Sequence, residues 1–251
     1  MNFFCPFHND KNASFSLNNN KFICYGCNYY GYTEKIFKIK KFEIIFDKKI
    51  LNLAKKNLYL KKNFWLQYLI FRNINMLTSI KFNLGCLYFL NKKINKILIN
   101  RLIFPILNEN KILESIGVKT NSDKNKYLIF SKNINNLNFY GIDQIKNFNF
   151  VIIVEGYFDL LTLKKNFLNN TISILGSNIN CYKINYLLKK FKKIYFCFDG
   201  DHAGYNANEK IKKNFKKFKK RIFSKTLPYS YDPDNYIKKF GILSFLKYLK
   251  L

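Results

Sequence analysis

Acidic residues follow two short apolar runs in the C-terminal half of the sequence. Val151–Val154 leads directly into Glu155, and Ile194–Phe198 leads into a loop that contains Asp199 and Asp201. The segments between these runs are long enough for crossover helices, and strands that alternate with helices form a parallel sheet. Because functional residues gather at the carboxyl edge of such a sheet, we expect the three carboxylates to converge there. Their mutual repulsion would need a divalent cation, so the pattern predicts a catalytic metal site.

The same half of the chain contains further elements of this sheet. Ile172–Leu175 is a third apolar run, which ends in Gly176 and Ser177, and Ile222–Leu227 predicts a fourth strand. A basic amphipathic helix over Gly204–Arg221 is expected to cover the sheet. Glycine lets the backbone approach a phosphate closely, and the glycines that follow the strands are Gly156, Gly176 and Gly200.

The first thirty residues contain a second metal-binding pattern. Cys5 and His8 are separated by two residues, as are Cys24 and Cys27, and fifteen residues lie between the pairs. Two such pairs on tight turns can direct four ligands at one tetrahedral zinc ion. The intervening SFSL and KFICY segments alternate apolar and polar residues, as a β-hairpin does. Since four protein ligands leave no open position, this zinc ion is expected to stabilise the fold rather than to catalyse a reaction.

The composition is strongly basic. The 251 residues include 44 Lys and Arg against 15 Asp and Glu, which gives a formal net charge of +29. This charge indicates a polyanionic partner such as nucleic acid, because clustered cations neutralise phosphates and release counterions. The heavy use of Lys, Asn, Ile and Phe is also what an AT-rich genome imposes through its codons, so the charge has two explanations.

The sequence contains neither a membrane span nor a signal peptide. No apolar run approaches the roughly 18 residues of a span, and the N-terminus lacks an apolar core. We therefore expect a reducing compartment. Free cysteines then behave as small apolar side chains, which predicts that Cys86, Cys181 and Cys197 are buried. His202 is expected to be a polar loop residue near the acidic site.

The middle of the chain mixes helical and extended patterns. Residues 34–63 are Lys-rich and apolar-periodic, which predicts a helical connection. Trp65–Arg72 reads as a helix with an aromatic face, and Arg101–Ile106 and Ser115–Lys119 read as strands.

Several motifs together resemble one known family. EGYFD at 155–159, LGS at 175–177, DGDHAG at 199–204 and DPD at 232–234 are similar to the TOPRIM domain of bacterial-type (DnaG-like) DNA primases. CPFHNDKNASFS and CYGC resemble the zinc-binding domain that opens those primases. The resemblance implies an α+β / α/β protein, with a zinc ribbon followed by a catalytic core that contains a Rossmann-like parallel sheet. The implied domains are a zinc ribbon over 1–33, a helical connection over 34–63, a basic subdomain over 64–148, a TOPRIM domain over 149–236 and a short C-terminal helix over 237–251.

The resemblance also assigns roles to single residues. The catalytic carboxylates, which bind Mg²⁺ or Mn²⁺, are Glu155, Asp199 and Asp201. The residues that extend this cluster are Asp159, Asp232 and Asp234. The basic residues that match those holding single-stranded template and nucleotides in the family are Arg72, Arg101, Lys119, Lys126 and Lys132. A positive groove with aromatic side chains suits single-stranded nucleic acid, which agrees with this assignment.

The implied activity is synthesis of short RNA primers on single-stranded DNA during replication, by metal-dependent nucleotidyl transfer from ribonucleoside triphosphates. The zinc module would help to select or steady the initiation site. The resemblance does not extend to a leading helix of the zinc domain, to a polar segment after Leu128, to most of a helical subdomain after Asp234 or to a helicase-binding domain. A replicative helicase is therefore an open partner, and no membrane partner is expected.

Two other classes of function stay open. One is another TOPRIM enzyme, either a nuclease or a topoisomerase fragment. A topoisomerase needs a region with a nucleophilic tyrosine, for which we find no room, and a nuclease leaves the zinc ribbon unexplained. The other is a non-catalytic single-stranded-DNA-binding replication factor that retains the scaffold.

Overall fold

The structure is a computed structural model. It describes residues 2–3, 14–18, 21–26, 30–32, 48–60, 63–87, 101–119, 127–131, 139–176 and 181–251. The chain divides into two compact units. The first unit comprises Met1–Trp65, Leu84–Pro105 and Glu114–Asn136, and the second comprises Leu66–Asn83, Ile106–Leu113 and Leu137–Leu251. The predicted domain boundaries stay a prediction.

The first unit begins with a small antiparallel sheet. Its strands, in spatial order, are β1 (Asn2–Phe3), β2 (Phe15–Asn18), β3 (Lys21–Cys24) and β4 (Tyr30–Tyr32). Strands β2 and β3 form the predicted hairpin, with Phe15 opposite Cys24 and Asn18 opposite Lys21. The alternation of apolar and polar residues in these segments therefore indicated strands correctly.

A second antiparallel sheet lies largely in the same unit. Its spatial order is β5 (Gly85–Cys86), β6 (Leu102–Leu107), β7 (Leu113–Lys119) and β8 (Tyr127–Ser131). Strand β6 is almost wholly buried, and Ile116 and Val118 of β7 are buried as well. The strands predicted from Arg101 and Ser115 are present with boundaries shifted by one or two residues.

The second unit is built on a parallel sheet. Its spatial order is β10 (Thr171–Ser173), β9 (Phe150–Val154), β11 (Lys193–Phe198) and β12 (Ile222–Thr226). All three neighbouring pairs are parallel, and both central strands lie in register, with Phe196 opposite Ile153. Successive residues Val151, Ile152, Ile153 and Val154 are all buried, so this strand is covered on both faces.

Seven helices accompany the sheets in the described ranges. They are α1 (Lys48–Leu58), α2 (Phe64–Phe71), α3 (Met76–Lys81), α4 (Tyr157–Lys165), α5 (Cys181–Lys190), α6 (His202–Asn214) and α7 (Pro233–Leu249). Ile184 and Leu187 of α5 and Ile211 of α6 pack with Ile194 of the sheet in one apolar core. Among the described residues, no helix combines the length and the apolar character that crossing a bilayer requires.

Three predicted boundaries are wrong. The helix predicted over Gly204–Arg221 ends at Asn214, because Phe215 turns into the core and a 3₁₀ turn follows. The strand predicted to reach Leu175 ends at Ser173, because Leu175 has a left-handed backbone with φ of 59°. The C-terminal helix begins earlier than predicted, at Pro233, and breaks at Gly241, where φ is +78°.

The cysteine prediction is confirmed for two residues and wrong for one. Cys86 and Cys197 are buried, and burial raises the pKa of the Cys86 thiol to about 12. Cys181 is exposed instead, because it is the first residue of α5 and lies away from the apolar core formed by Ile184 and Leu187.

Candidate metal centre

The carboxyl ends of β9 and β11 bring the first two predicted carboxylates together. Glu155 follows β9 directly, and Asp199 follows the neighbouring β11. The backbone N–H of Asp199 donates a hydrogen bond to Oε1 of Glu155, with an N···O distance of 3.1 Å. The two acidic loops are therefore linked directly, as the positions of the strand ends predict.

Asp201 lies at the N-terminus of α6. Its Oδ1 accepts a hydrogen bond from the N–H of Gly204 at 2.7 Å, so it caps the helix. The side chain is exposed at the edge of the site. Asp201 thus holds the loop after β11 in place by capping α6, and its carboxylate lies near Asp199. His202 is exposed, but it is the first residue of the helix and not a loop residue as predicted, because Asp201 caps the helix directly before it.

Burial makes this group of carboxylates electrostatically unfavourable. It raises the pKa of Asp199 to about 9, and the negative charges of Asp159, Glu155, Asp232 and Asp201 add to the effect. Burial also raises the pKa of Glu155 to about 7, against the hydrogen bond from the Asp199 N–H, which lowers it. Five acidic residues therefore share one region, and the pKa values of Asp199, Glu155 and Asp159 are all raised there.

One carboxylate oxygen of Asp199 is the strongest indication that these residues bind a divalent cation. Oδ1 of Asp199 is buried and finds no hydrogen-bond partner among the described residues. Within those ranges, no three His, Cys, Asp or Glu side chains are placed to hold an ion by themselves. Mg²⁺ usually keeps several waters and takes only one or two carboxylates, so Glu155 and Asp199 fit such an ion. The described residues do not form a site in which protein ligands alone surround the ion.

Asp159 is held by two backbone N–H groups of the acidic loops. Its Oδ2 accepts the N–H of Gly156 at 3.0 Å, and its Oδ1 accepts the N–H of Asp234 at 3.3 Å. Burial raises its pKa to about 7, and the charge of Asp232 raises it further. Asp232 caps α7 by accepting the N–H of Asn235 at 2.7 Å. The hydrogen bonds of Asp159 and Asp232 therefore connect the N-termini of α4 and α7 to the acidic site.

Asp234 belongs to a buried ion-pair network. Its side chain is 1% exposed. Oδ2 accepts hydrogen bonds from Nη2 of Arg72 at 2.6 Å and from Nζ of Lys238 at 2.8 Å, and Oδ1 accepts the Thr162 hydroxyl at 2.6 Å. Both carboxylate oxygens are therefore bound by protein groups, unlike those of Asp199. The assignment of Asp234 to the metal stays a prediction.

Arg72 is the nearer of the two cations that pair with Asp234. Its guanidinium carbon lies 4.6 Å from the ring centroid of Phe158, and its Nε is buried without a partner in the described chain. No sequence pattern indicates this pair, because its members are 162 residues apart. The ion pair between Lys238 and Asp234 could have been predicted from the sequence, because Lys238 lies four residues after Asp234 on one helix. Nucleic-acid binding by Arg72 stays a prediction, and the structure shows a positioning role.

The other predicted basic residues are not brought to this site by any described contact. Arg101 precedes β6 in the first unit, where its Nη1 is buried without a partner in the described ranges. Lys119 ends β7, with Nζ 5.2 Å from the ring centroid of Tyr127. Lys126 and Lys132 lie outside the described residues.

The predicted zinc ligands are described only in part. Cys24 is buried at the end of β3, and its Sγ lies 3.1 Å from Oγ of Ser14. Cys5, His8 and Cys27 lie outside the described residues, so the geometry of the zinc site stays a prediction.

The glycines of the acidic loops are packed against protein atoms. A Cβ at Gly200 would lie 2.0 Å from the carbonyl oxygen of Pro228, and one at Gly156 would lie 2.5 Å from Oδ2 of Asp159. At Gly176, φ is +130° and the space is open, so a close approach of phosphate there stays a prediction. Gly204 was not singled out as a site residue, yet its Cβ would lie 2.1 Å from the Asp199 carbonyl oxygen.

Substitution of Gly204 by Ala is expected to destabilise the protein. The added methyl group must push α6 away from the Asp199 loop, and overpacking of this kind costs about 1–3 kcal/mol. Urea unfolding measures the loss. Asn206→Ala, at an exposed position on the same helix, is the control and should stay within about 0.5 kcal/mol of wild type. Equal stability of the two variants would show that the loop is not packed as described.

Two family models match the chain. The family described as Toprim-like matches residues 152–237, and the CHC2 zinc finger matches residues 2–63. The matches cover the parallel sheet with its acidic edge and the N-terminal sheet with Cys24. The zinc finger and Toprim assignments of the sequence are confirmed, and with them a zinc-binding module and a divalent-metal-binding domain.

Curated relatives and solved structures agree with these models. The chain is 30% identical to a DNA primase of Buchnera aphidicola subsp. Acyrthosiphon pisum, over 97% of this chain and 55% of the relative. It is 27% identical to the Aquifex aeolicus DNA primase, over 94% and 60%. The chain thus spans little more than half of each relative.

The fold is likewise shared with solved primase structures. The zinc-binding and RNA polymerase domains of Aquifex aeolicus primase give a TM-score of 0.67 at 24% identity, with 99% of this chain and 78% of that chain covered. A DnaG primase catalytic domain bound to single-stranded DNA gives 0.69 at 19%, with 86% and 81% covered. From its motifs, its two family-model matches and its relatives, the chain belongs to the bacterial-type (DnaG-like) DNA primase family.

Proposed function

We propose that the chain joins ribonucleotides into a short RNA primer on single-stranded DNA, by nucleotidyl transfer that depends on Mg²⁺ or Mn²⁺. The observation that carries the proposal is the direct link between the two acidic loops. The Asp199 N–H binds Glu155, while the buried Oδ1 of Asp199 has no partner among the described residues. A pair of carboxylates in this state suits a cation that neutralises charge on transferring phosphates.

The residues divide the work by their environment. When bound, the divalent ions would stabilise the charge on the attacking and leaving oxygens. Glu155 and Asp199 would hold these ions, and their raised pKa values mean that cation binding displaces protons from them. Asp201 is exposed and can bind through water or reach the nucleotide's metal ion. Asp159 and Asp232 tie α4 and α7 to the same edge and position it.

The proposed template is single-stranded DNA. One structural neighbour is a DnaG catalytic domain bound to single-stranded DNA, and a net charge of +29 favours a polyanionic strand. Arg101 is the strongest candidate contact in the first unit, because a guanidinium binds phosphate through two hydrogen bonds. Ribonucleoside triphosphates are the proposed second substrate. The proposed location is a bacterial cytoplasm, near the nucleoid, or an organelle of bacterial descent.

The zinc module is proposed to hold the N-terminal sheet together. The CHC2 zinc finger match covers Cys5, His8, Cys24 and Cys27, which supply the two ligand pairs. Neither a nuclease nor a non-catalytic DNA-binding factor is favoured by any contact in the described chain. A nuclease would also leave this primase-type zinc finger without a role.

The test is a synthesis assay on single-stranded DNA with labelled ribonucleotides and Mn²⁺ or Mg²⁺. Wild type should yield short RNA, and the Asp199→Ala/Asp201→Ala variant should lose activity on the order of 10²-fold or more, because metal stabilisation of the transition state supplies several kcal/mol. The variant should still bind the DNA. Strand scission without RNA product would favour a nuclease, and DNA binding without either reaction would favour a non-catalytic factor.

A further inference from the structure

A polar cavity lies at the amino edge of the parallel sheet, opposite the carboxyl edge that carries the acidic residues. Its volume is about 480 Å³. Asp143 and Lys146, which line it, precede β9, and Asn170 immediately precedes β10. Because the strands are parallel, these residues lie at the amino edge, while Glu155 follows the carboxyl end. The five residues of β9 span roughly 15 Å, so the cavity is separate from the acidic site.

Lysine side chains form part of the lining of the cavity. Lys81, Lys111 and Lys146 line it. A fourth lysine, Lys164, is 6% exposed and donates from Nζ to the carbonyl oxygen of Asn169, at 2.5 Å. Burial lowers the pKa of Lys164 to about 7, and the nearby charge of Lys81 lowers it further. With Lys81, Lys111 and Lys146 against the one carboxylate of Asp143, the lining of the cavity carries a net positive charge.

The single carboxylate of the cavity does not cancel this charge. Asp143 lies close enough to Lys164, Lys111 and Lys81 for each to lower its pKa, although burial raises the pKa more strongly. Asp143 forms no ion pair with another described residue. Lys81, Lys111 and Lys146 therefore line the cavity without forming an ion pair with Asp143.

An unpaired acceptor lies among these donors. Nε2 of Gln144 donates to the carbonyl oxygen of Lys81 at 3.2 Å, which fixes the orientation of the amide. Its Oε1 is buried and accepts no hydrogen bond from the described residues. An unsatisfied buried acceptor costs about 1–3 kcal/mol, so a ligand with an N–H or O–H group would be favoured there.

Two of the lysines are held on ordered backbone. Lys81 is the last residue of α3. Lys111 has φ of 60° in a turn where its N–H donates to the Asn108 carbonyl oxygen at 2.9 Å and the Ile112 N–H donates to Asn108 Oδ1 at 3.0 Å. Ligand binding therefore need not order these segments, which would otherwise oppose it.

We propose that this cavity is a second nucleotide site, which binds a free nucleoside polyphosphate without a divalent cation. Lys81, Lys111 and Lys146 would bind the phosphates, and Gln144 would accept a hydrogen bond from the base or sugar. The volume lies within the roughly 300–1,000 Å³ of small-molecule sites. Single-stranded nucleic acid prefers aromatic side chains for stacking, and none of the described residues that line the cavity is aromatic.

The test is equilibrium dialysis of the full chain with labelled ATP and no added divalent cation. Wild type and Asp199→Asn should bind equally, since the site is remote from the metal edge. Lys81→Ala/Lys111→Ala should bind at least about tenfold more weakly, because two phosphate contacts are lost. The charge-matched control Lys189→Ala/Lys213→Ala, on exposed positions of α5 and α6, should bind as wild type. Lys146→Ala is the single-site check, should the double variant unfold at lower urea.

Competition separates the ligand classes. Pyrophosphate should displace ATP and adenosine should displace it weakly, as expected if the phosphates supply most of the affinity. Three results would overturn the proposal. They are binding that requires Mg²⁺, equal affinity of the Lys81→Ala/Lys111→Ala variant and its control, and displacement by a single-stranded oligonucleotide as effective as that by ATP.

Discussion

Asp199→Asn is expected to make the protein more stable while it removes the activity. In buffer without added Mg²⁺ or Mn²⁺, and with zinc retained, the variant should unfold at higher urea than wild type. The reason is that burial, together with the charges of four other acidic residues, raises the pKa of the half-buried Asp199 to about 9. A neutral amide of similar shape avoids this repulsion. We expect a gain of about 2 kcal/mol at pH 8, where one unit of pKa difference corresponds to about 1.4 kcal/mol and part of the shift is lost to solvent screening.

The pH dependence gives this prediction its sign. The unfolded carboxyl has a pKa of about 3.9, so between about pH 4 and pH 9 the folded state binds more protons than the unfolded state. The free energy of unfolding therefore falls as pH rises through this window. Asn does not titrate, so the advantage of the variant should grow from pH 5 to pH 9. Comparing two chains cancels the contributions of the many lysines.

Divalent cation should reverse the order of stability. A ligand at 100 times its Kd stabilises the folded state by about 2.7 kcal/mol, and only the wild-type chain should gain this. Glu209→Gln, which changes an exposed carboxylate on α6, is the control and should match wild type throughout. A variant that is less stable than wild type at every pH would contradict the electrostatic account of the acidic edge.

Arg72→Ala is expected to destabilise the protein severely. The substitution leaves Asp234 without its closest cation, while the carboxylate stays 1% exposed. Removal of one partner from a buried ion pair costs about 3–5 kcal/mol when the remaining charge is uncompensated, and because Lys238 still pairs with Asp234 we expect the lower end of this range. Lys238→Ala removes a more exposed cation from the same oxygen, so it should cost about 1 kcal/mol. Urea unfolding of both variants measures the difference.

A double substitution separates positioning from DNA binding. Arg72→Ala/Asp234→Asn should recover a large part of the stability lost in Arg72→Ala, because a neutral amide needs no cation. Its affinity for DNA then reports on Arg72 in a folded protein. If Arg72→Ala unfolds like wild type and only loses DNA affinity, the ion pair has no positioning role.

The sequence was sufficient to predict the acidic edge because the information is local. Each carboxylate follows an apolar run directly, and the carboxyl ends of parallel strands must meet. Strand β9 was predicted over Val151–Val154 and is observed over Phe150–Val154. The backbone of Leu175 was not predictable, because nothing in the sequence indicates a left-handed conformation at a leucine.

Long-range pairings were beyond the reach of sequence patterns. Arg72 and Asp234 belong to motifs that suggested a template contact and a metal ligand, and only the fold brings them together. The amino-edge cavity draws Lys81, Lys111 and Lys146 from three segments without a shared spacing. In a chain with 44 Lys and Arg, no single lysine stands out by composition.

The central claim is that Glu155 and Asp199 together bind a divalent cation at the carboxyl edge of the sheet. Electron paramagnetic resonance of Mn²⁺ tests it most directly, because the six-line signal of free Mn²⁺ is lost when the ion is bound. Wild type should remove at least one Mn²⁺ per chain from solution at pH 7.5, whereas Glu155→Gln/Asp199→Asn should leave the free signal almost unchanged. Equal binding by both chains would show that the cation, and the chemistry proposed for it, belong elsewhere.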